Sequence, residues 1–202
     1  MKTLVSLIAA GALALSLGCS SQRANQSEGT ASNPLPGTNN SSQSSQASTS
    51  STSANLSGPD ADFVNKAAQG GLAEVQLGQM VAQKAQNQAV KDFAQRMVDD
   101  HSKANDQLKQ LASQKGINLP TDVDPSDKQF QDQLSSASGA KFDKMYMDHM
   151  VQDHQKDVSE FQSETTKASD PDVKNFAQQT LPTLQEHLQL AQKTDKQVKG
   201  GK

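Results

Sequence analysis

Apolar residues recur every three to four positions through the segment 60–198, and alternation with a period of two is almost absent there. That spacing is typical of amphipathic helices that each bury one face. We therefore predict four long helices and a short one, over 61–86, 88–115, 126–134, 139–168 and 171–197.

The ends of these helices carry the expected signals. Asp60 or Asp62 is placed to cap the first helix, and Gly116 follows the last residue of the second. Pro171, preceded by Ser169 and Asp170, is typical of a first helical turn.

The predicted fold is a single all-α domain over residues 60–198. Two tight hairpins joined by one long connection are the topology of ferritin-like four-helix bundles, here with the short extra helix inside the connection. Because only 3% of the residues are aromatic and none is Trp, the core is expected to consist of aliphatic side chains and Met. The run from Val90 to Gln95 is echoed from Val173 to Gln178, in agreement with two similar hairpins.

The N-terminus has the features of a bacterial export signal. Lys2 precedes an apolar run from Leu4 to Leu17, which is shorter than the ~20 residues that a transmembrane helix needs. The run ends at Gly18-Cys19 and resembles the lipoprotein cleavage box. That resemblance implies a signal peptide over 1–18 and a lipidated Cys19 as the mature N-terminus; an ordinary secretion signal is the alternative.

The predicted location is the periplasmic face of the cell envelope. In lipoproteins of this kind, a Ser such as Ser20 after the lipidated cysteine favours the outer membrane. Ser, Thr, Asn, Gln, Gly and Pro make up 32 of the 40 residues over 20–59, too polar a composition to fold. We therefore predict that 19–59 is a disordered tether and that the lipid makes the membrane a partner.

One ionisable residue is at the centre of each apolar stripe, and all four are near the middle of their helices. They are Glu74, His101, His154 and His187. Burying such groups costs several kcal/mol unless they pair or bind a cation. Three imidazoles and a carboxylate suit one divalent Zn, Fe, Cu or Mn ion, and a purely structural polar network is the alternative.

An acid precedes each of the three core histidines, namely Asp100, Asp153 and Glu186. Neighbouring helical positions point about 100° apart, so these acids flank the stripe. They are candidates for second-shell acceptors of an imidazole N–H on the next helix. Salt bridges to Lys91, Lys103 or Lys156 are the alternative.

Several stretches together resemble the bacterial ferritin-like family DUF4142, a domain of unknown function. They are Phe63–Val75, Met97–Asn105, Val151–Lys156 and Leu181-Pro182 before His187. The resemblance implies a four-helix ferritin-like fold and no established activity. Because the Glu-x-x-His pattern of di-iron proteins is absent, we expect one metal ion or none.

Other classes of function are disfavoured by composition. With 19 basic and 22 acidic residues, the chain lacks the positive surface that nucleic-acid binding needs. Cys19 is the only cysteine, and no nucleophile elbow is present, so an enzyme is disfavoured and no organic cofactor is expected. The two remaining predictions are a metal-binding envelope protein and a non-catalytic scaffold whose protein partner the sequence does not indicate.

Overall fold

The computed structural model describes Leu56 and residues 58–200. The predictions for the signal peptide, for Cys19 and for nearly all of the tether lie outside these residues. Within them the chain forms five α-helices and no strand, which confirms the all-α class. None of these helices is both long enough and apolar enough to cross a bilayer. The helices are α1 (Pro59–Lys84), α2 (Gln88–Lys115), α3 (Pro125–Ser135), α4 (Gly139–Lys167) and α5 (Pro171–Gly200).

The helix ends follow local capping chemistry. The side chain of Asn87 accepts a hydrogen bond from the Ala89 backbone N–H at 2.9 Å and so begins α2. Gly116 ends the same helix in the left-handed conformation, with φ of 65°, where a residue with a side chain would be strained. Asp170 begins α5 by accepting from the backbone of Asp172 at 2.9 Å. The predicted bounds differ from the observed ones by at most three residues, at the end of α5.

The four long helices pack as two hairpins, α1 with α2 and α4 with α5, and the hairpins contact each other chiefly through α2 and α5. A close approach holds the first hairpin together at Gly78. A Cβ atom built on Gly78 would lie 2.8 Å from both the carbonyl oxygen of Ala94 and Cγ2 of Val98.

A buried aspartate from each hairpin binds the turn of the other. The Asp143 carboxylate in α4 accepts from the backbone N–H groups of Gln86 and Asn87, at 3.2 and 2.8 Å. The Asp60 carboxylate in α1 accepts from Ser169 at 3.0 Å and from Asp170 at 2.7 Å. Each hairpin therefore stabilises the turn of the other through a buried carboxylate.

This reciprocity follows the sequence echo. The offset that relates Val90 to Val173 also relates Asp60 to Asp143. The two halves thus use equivalent positions for equivalent contacts.

The apolar core is divided into two clusters. The first core cluster surrounds the α1–α2 turn and includes Leu77, Val90, Met97, Tyr146, Met150 and Ala191. The second core cluster surrounds the α4–α5 turn and includes Phe63, Leu108, Phe161, Phe176 and Leu184. Each long helix contributes residues to both clusters. The predicted ionisable residues lie between these two sets of residues on each helix.

Candidate metal centre

The residues predicted at the centres of the apolar stripes converge in the protein interior. Glu74, His101, His154 and His187 are 1, 7, 0 and 1% exposed. The ring centroid of His187 lies 5.3 Å from those of both His101 and His154, and the latter two centroids are 5.8 Å apart. A layer of imidazoles thus separates the two core clusters.

Each of the three imidazoles has one buried nitrogen without a partner. Nδ1 of His154 donates to the carbonyl of Met150 at 3.0 Å, because a carbonyl can only accept, and this leaves a lone pair on Nε2. Nε2 of His187 donates to Oδ2 of Asp100 at 3.0 Å, which leaves a lone pair on Nδ1. These two atoms and Nε2 of His101 have no hydrogen-bond partner.

The surroundings keep these rings neutral. Burial, followed by the charge of His187, lowers the pKa of His154 to about 3. Burial and the neighbouring imidazoles place the pKa of His101 well below its ordinary value. Burial also lowers the pKa of His187, although Asp100 opposes this shift. At neutral pH the three rings can therefore offer lone pairs without first losing protons.

The spacing of the nitrogens fits a metal centre of small radius. One nitrogen from each ring can be chosen so that all three lie within 4.8 Å of one another. A tetrahedral zinc site with bonds of about 2.0–2.1 Å needs nitrogens roughly 3.3 Å apart, a separation inside this limit. We call His101, His154 and His187 the histidine cluster.

The structure places Glu74 beside His154 but groups its carboxylate with other acids rather than with the three imidazoles. Its Oε1 lies 3.6 Å from Nδ1 of His154, the nitrogen that already donates to a carbonyl. One oxygen of Glu74 instead lies within 4.8 Å of one oxygen each from Asp153 and Asp157. Burial, and then the charge of Asp153, raise the pKa of Glu74 well above its ordinary value.

The three acids that precede the core histidines have different surroundings. Asp100 contacts the imidazole of His187, on the helix next to its own. Glu186 is 54% exposed and pairs with Nη2 of Arg96 at 2.8 Å. Asp153 lies beside Glu74, with one oxygen of each within 4.8 Å of the other. Of the alternative lysine pairs, Lys103 contacts Asp100 at 3.2 Å.

Sequence reasoning missed Asp157, whose carboxylate is part of the acidic group around Glu74. Burial, together with the charge of Asp153, raises the pKa of Asp157 to about 8. A signal was present in the sequence echo, because the offset from Val90 to Val173 also relates Glu74 to Asp157.

Fold and site together define an all-helical domain with a layer of buried histidines and acids between two apolar clusters. The family described as Domain of unknown function (DUF4142) matches residues 45–194. The chain therefore belongs to the DUF4142 family. Comparison with curated proteins gives no significant match.

Two solved structures share the fold at low sequence identity. A DUF305 fragment from Deinococcus radiodurans is 14% identical, with a TM-score of 0.60, over 68% of this chain and 95% of that chain. A DUF305 protein from Streptomyces coelicolor is 12% identical, with a TM-score of 0.56, over 65% of this chain and 87% of that chain. At these identities the likeness concerns the fold alone.

Proposed function

We propose that this protein binds one divalent transition metal ion through His101, His154 and His187. The observation that carries the proposal is that each imidazole leaves one buried nitrogen without a partner. A structural network would be expected to satisfy these atoms, since a buried polar group without a partner costs about 1–3 kcal/mol. A metal ion would satisfy all three at once.

The ligand chemistry favours Zn, with Cu, Fe and Mn as further candidates. Three neutral imidazoles around one ion leave a fourth position open in a tetrahedral geometry. Asp100 supports the proposal because it accepts from the distal nitrogen of His187, as second-shell carboxylates do for metal-bound imidazoles. Glu74 lies beside His154 but makes no hydrogen bond to its ring, so in this proposal it is not a ligand of the ion.

The wider context of the proposal is a ferritin-like bundle tethered to the cell envelope. The two-hairpin packing supports the ferritin-like arrangement. The apolar run before Cys19 supports lipid anchoring at the periplasmic face. Metal handling or an envelope stress response would suit such a protein. Replacement of Cys19→Ser should release it from the membrane fraction, and an unchanged distribution would contradict the anchor.

The test of metal binding uses the EDTA-treated full chain. Zn²⁺ should raise its Tm, because a ligand present at one hundred times its Kd adds about 2.7 kcal/mol to the free energy of unfolding. Co²⁺ should give the visible absorption of a tetrahedral site. The variants His101→Ala and His187→Ala should lose both responses.

The chain offers a matched control in its remaining histidine. The ring of His149 stacks on that of Phe130 at 3.7 Å, outside the histidine cluster, so His149→Ala should retain both responses. If Zn²⁺ leaves the Tm of the native chain unchanged, or binds equally to all variants, the proposal is wrong.

The second candidate is a non-catalytic scaffold in which the buried polar groups fix the register of the helices. It is favoured by the side chain of Arg96, which contacts Asp100 on its own helix and Glu186 on α5. This function predicts a domain that metals do not stabilise, and whose binding to a partner survives the two alanine substitutions.

A further inference from the structure

Three carboxylates from two helices meet beside the histidine cluster. Glu74 comes from α1, and Asp153 and Asp157 come from consecutive turns of α4. One oxygen from each lies within 4.8 Å of the other two. We call these residues the carboxylate cluster.

Glu74 is the unusual member of this group. Its side chain is 1% exposed, and neither carboxyl oxygen has a hydrogen-bond partner. Since it faces two further acids, its surroundings disfavour three charged carboxylates unless a proton or a cation lies among them. No surface acidic patch has this property, because water satisfies exposed oxygens.

A cavity adjoins the carboxylate cluster and supplies room for a hydrated ion. Its volume is about 270 Å³, several times the ~30 Å³ that one water molecule occupies in the liquid. Asp153 and Asp157 line it together with three further acids and two lysines, and its wall reaches His101. The additional charged residues of the lining are Lys66, Asp124, Asp127, Lys156 and Glu160.

The charge of this lining favours cations over anions. Five acids and two lysines line the cavity, and an oxygen of Glu74 lies within 4.8 Å of oxygens of two of these acids. A field of this sign concentrates positive ions and repels anionic ligands.

We propose that Glu74, Asp153 and Asp157 bind a second cation, a hard divalent ion of the Mn²⁺, Mg²⁺ or Ca²⁺ class. Carboxylate oxygens and water suit such ions, whereas imidazoles suit zinc and copper. Waters from the cavity would complete the coordination, and the ion would neutralise two of the three charges. This inference does not rest on the proposed function of the histidine cluster, because the two groups share no ligand.

The test is a titration of the EDTA-treated full chain with Mn²⁺, in which the EPR signal of free Mn²⁺ falls as the ion binds. The variants Asp153→Asn and Asp157→Asn should weaken binding at least tenfold. Asp132→Asn is a matched control, since Asp132 is an exposed acid of α3 outside the cavity, and it should bind as the native chain does. Both cluster variants are expected to fold, because each replaces a half-buried acid of an acidic group with a neutral amide of nearly the same shape.

A second measurement uses Tyr146, the only tyrosine of a chain without Trp. Burial, and then the negative charge of Glu74, raise the pKa of Tyr146, so the phenol is close to the carboxylate cluster. Tb³⁺, an oxygen-binding ion, should therefore show tyrosine-sensitised luminescence that Mn²⁺ displaces. Glu74→Gln should abolish it.

The proposals for the histidine cluster and for the carboxylate cluster can be contradicted independently, because different variants test them. His101→Ala should retain Mn²⁺ binding while losing the Zn²⁺ response. If the native chain binds no Mn²⁺, or if Mn²⁺ binding is lost in His101→Ala and kept in both Asp variants, the carboxylate site is wrong. Loss of Mn²⁺ binding in the Asp variants with Zn²⁺ binding intact supports it.

Discussion

Asp100 decides which nitrogen of His187 faces the interior. Partial burial works against its ionisation, but hydrogen bonds from His187 and Lys103 lower the pKa of this carboxyl. The ionised group accepts the Nε2 hydrogen of His187 and so leaves the lone pair on Nδ1, which is buried without a partner. The position of His187 along α5 puts its side chain in the core, and Asp100 on α2 determines which nitrogen of the ring carries the hydrogen.

Neutralising this acceptor should weaken metal binding without removing a ligand. Asp100→Asn is expected to reduce Zn²⁺ affinity about 10–100-fold, the usual effect of losing an outer-shell partner. Competition with a zinc-sensitive dye measures it. Asp99→Asn is the control, because Asp99 is exposed and accepts a hydrogen bond from Gln95 on its own helix; equal losses in the two variants would contradict the role of Asp100.

Asp157 should make the metal-free protein less stable as the pH rises. Its pKa is raised to about 8 by burial and by Asp153, whereas an unfolded Asp titrates near 3.9. The folded state therefore holds a proton that the unfolded state releases. The stability contributed by this proton is complete below about pH 4 and is lost as the pH rises through 8. Glu74, Asp127 and Glu160 face the same region and add to the repulsion, while Lys156 opposes it.

Urea unfolding in EDTA at several pH values measures this effect. Asp157→Asn should lose less stability than the native chain between about pH 5 and pH 8, because the titrating group is absent. The buried histidines titrate in both proteins, so they cancel in the comparison. Parallel pH profiles for the two proteins would show that Asp157 is not perturbed.

The histidine cluster could be predicted from sequence, whereas the carboxylate cluster could be predicted only in part, through the echo that relates Glu74 to Asp157. Helical periodicity places Glu74 and the three histidines on buried faces because each lies amid apolar neighbours. Asp157 lies at the edge of its stripe, where the sequence does not distinguish an acid facing solvent from one facing another helix. The separation of Glu74 from the three rings likewise depends on distances between helices, which periodicity along one helix does not contain.

At the scale of the elements, the helix bounds follow from caps that are visible in the sequence. Asn87, Gly116 and Pro171 each mark an observed end. Which glycines matter for packing is not visible in the same way. Gly70 and Gly78 both lie inside α1, but only Gly78 meets the backbone of α2.

These two glycines provide a matched pair of substitutions. Gly78→Ala should lower the free energy of unfolding by about 1–3 kcal/mol, because the new methyl group would overlap the Ala94 carbonyl. Gly70→Ala places its methyl group in open space and should raise stability by roughly 0.5–1 kcal/mol through helix propensity. Chemical denaturation measures both, and equal effects at the two sites would contradict the close approach.

At the scale of the whole molecule, the imidazole layer separates two apolar clusters that together hold the hairpins in place. Stability therefore depends on contacts between the hairpins as well as on the clusters. The reciprocal aspartates are such contacts, since each is buried and each binds a turn of the opposite hairpin.

Asp60→Ala should remove the acceptor for the backbone N–H groups of Ser169 and Asp170. The expected loss is about 1.5–3 kcal/mol, the usual value for hydrogen bonds to a charged group. Asp62→Ala is the control in the same helical turn, because Asp62 is exposed, and it should cost less than ~1 kcal/mol. Thermal unfolding compares the two variants. Equal decreases in Tm would show that the contact of Asp60 with the turn does not stabilise the fold.

The reciprocal fastening has a consequence for how copies of this chain could associate. The second hairpin of another copy would offer the same surfaces as the chain's own second hairpin. Two copies could therefore form a domain-swapped dimer that keeps the contacts between the hairpins. What favours closure within one molecule is the high local concentration that the linker through α3 imposes. Shortening that linker would shift the equilibrium from the monomer toward the domain-swapped dimer.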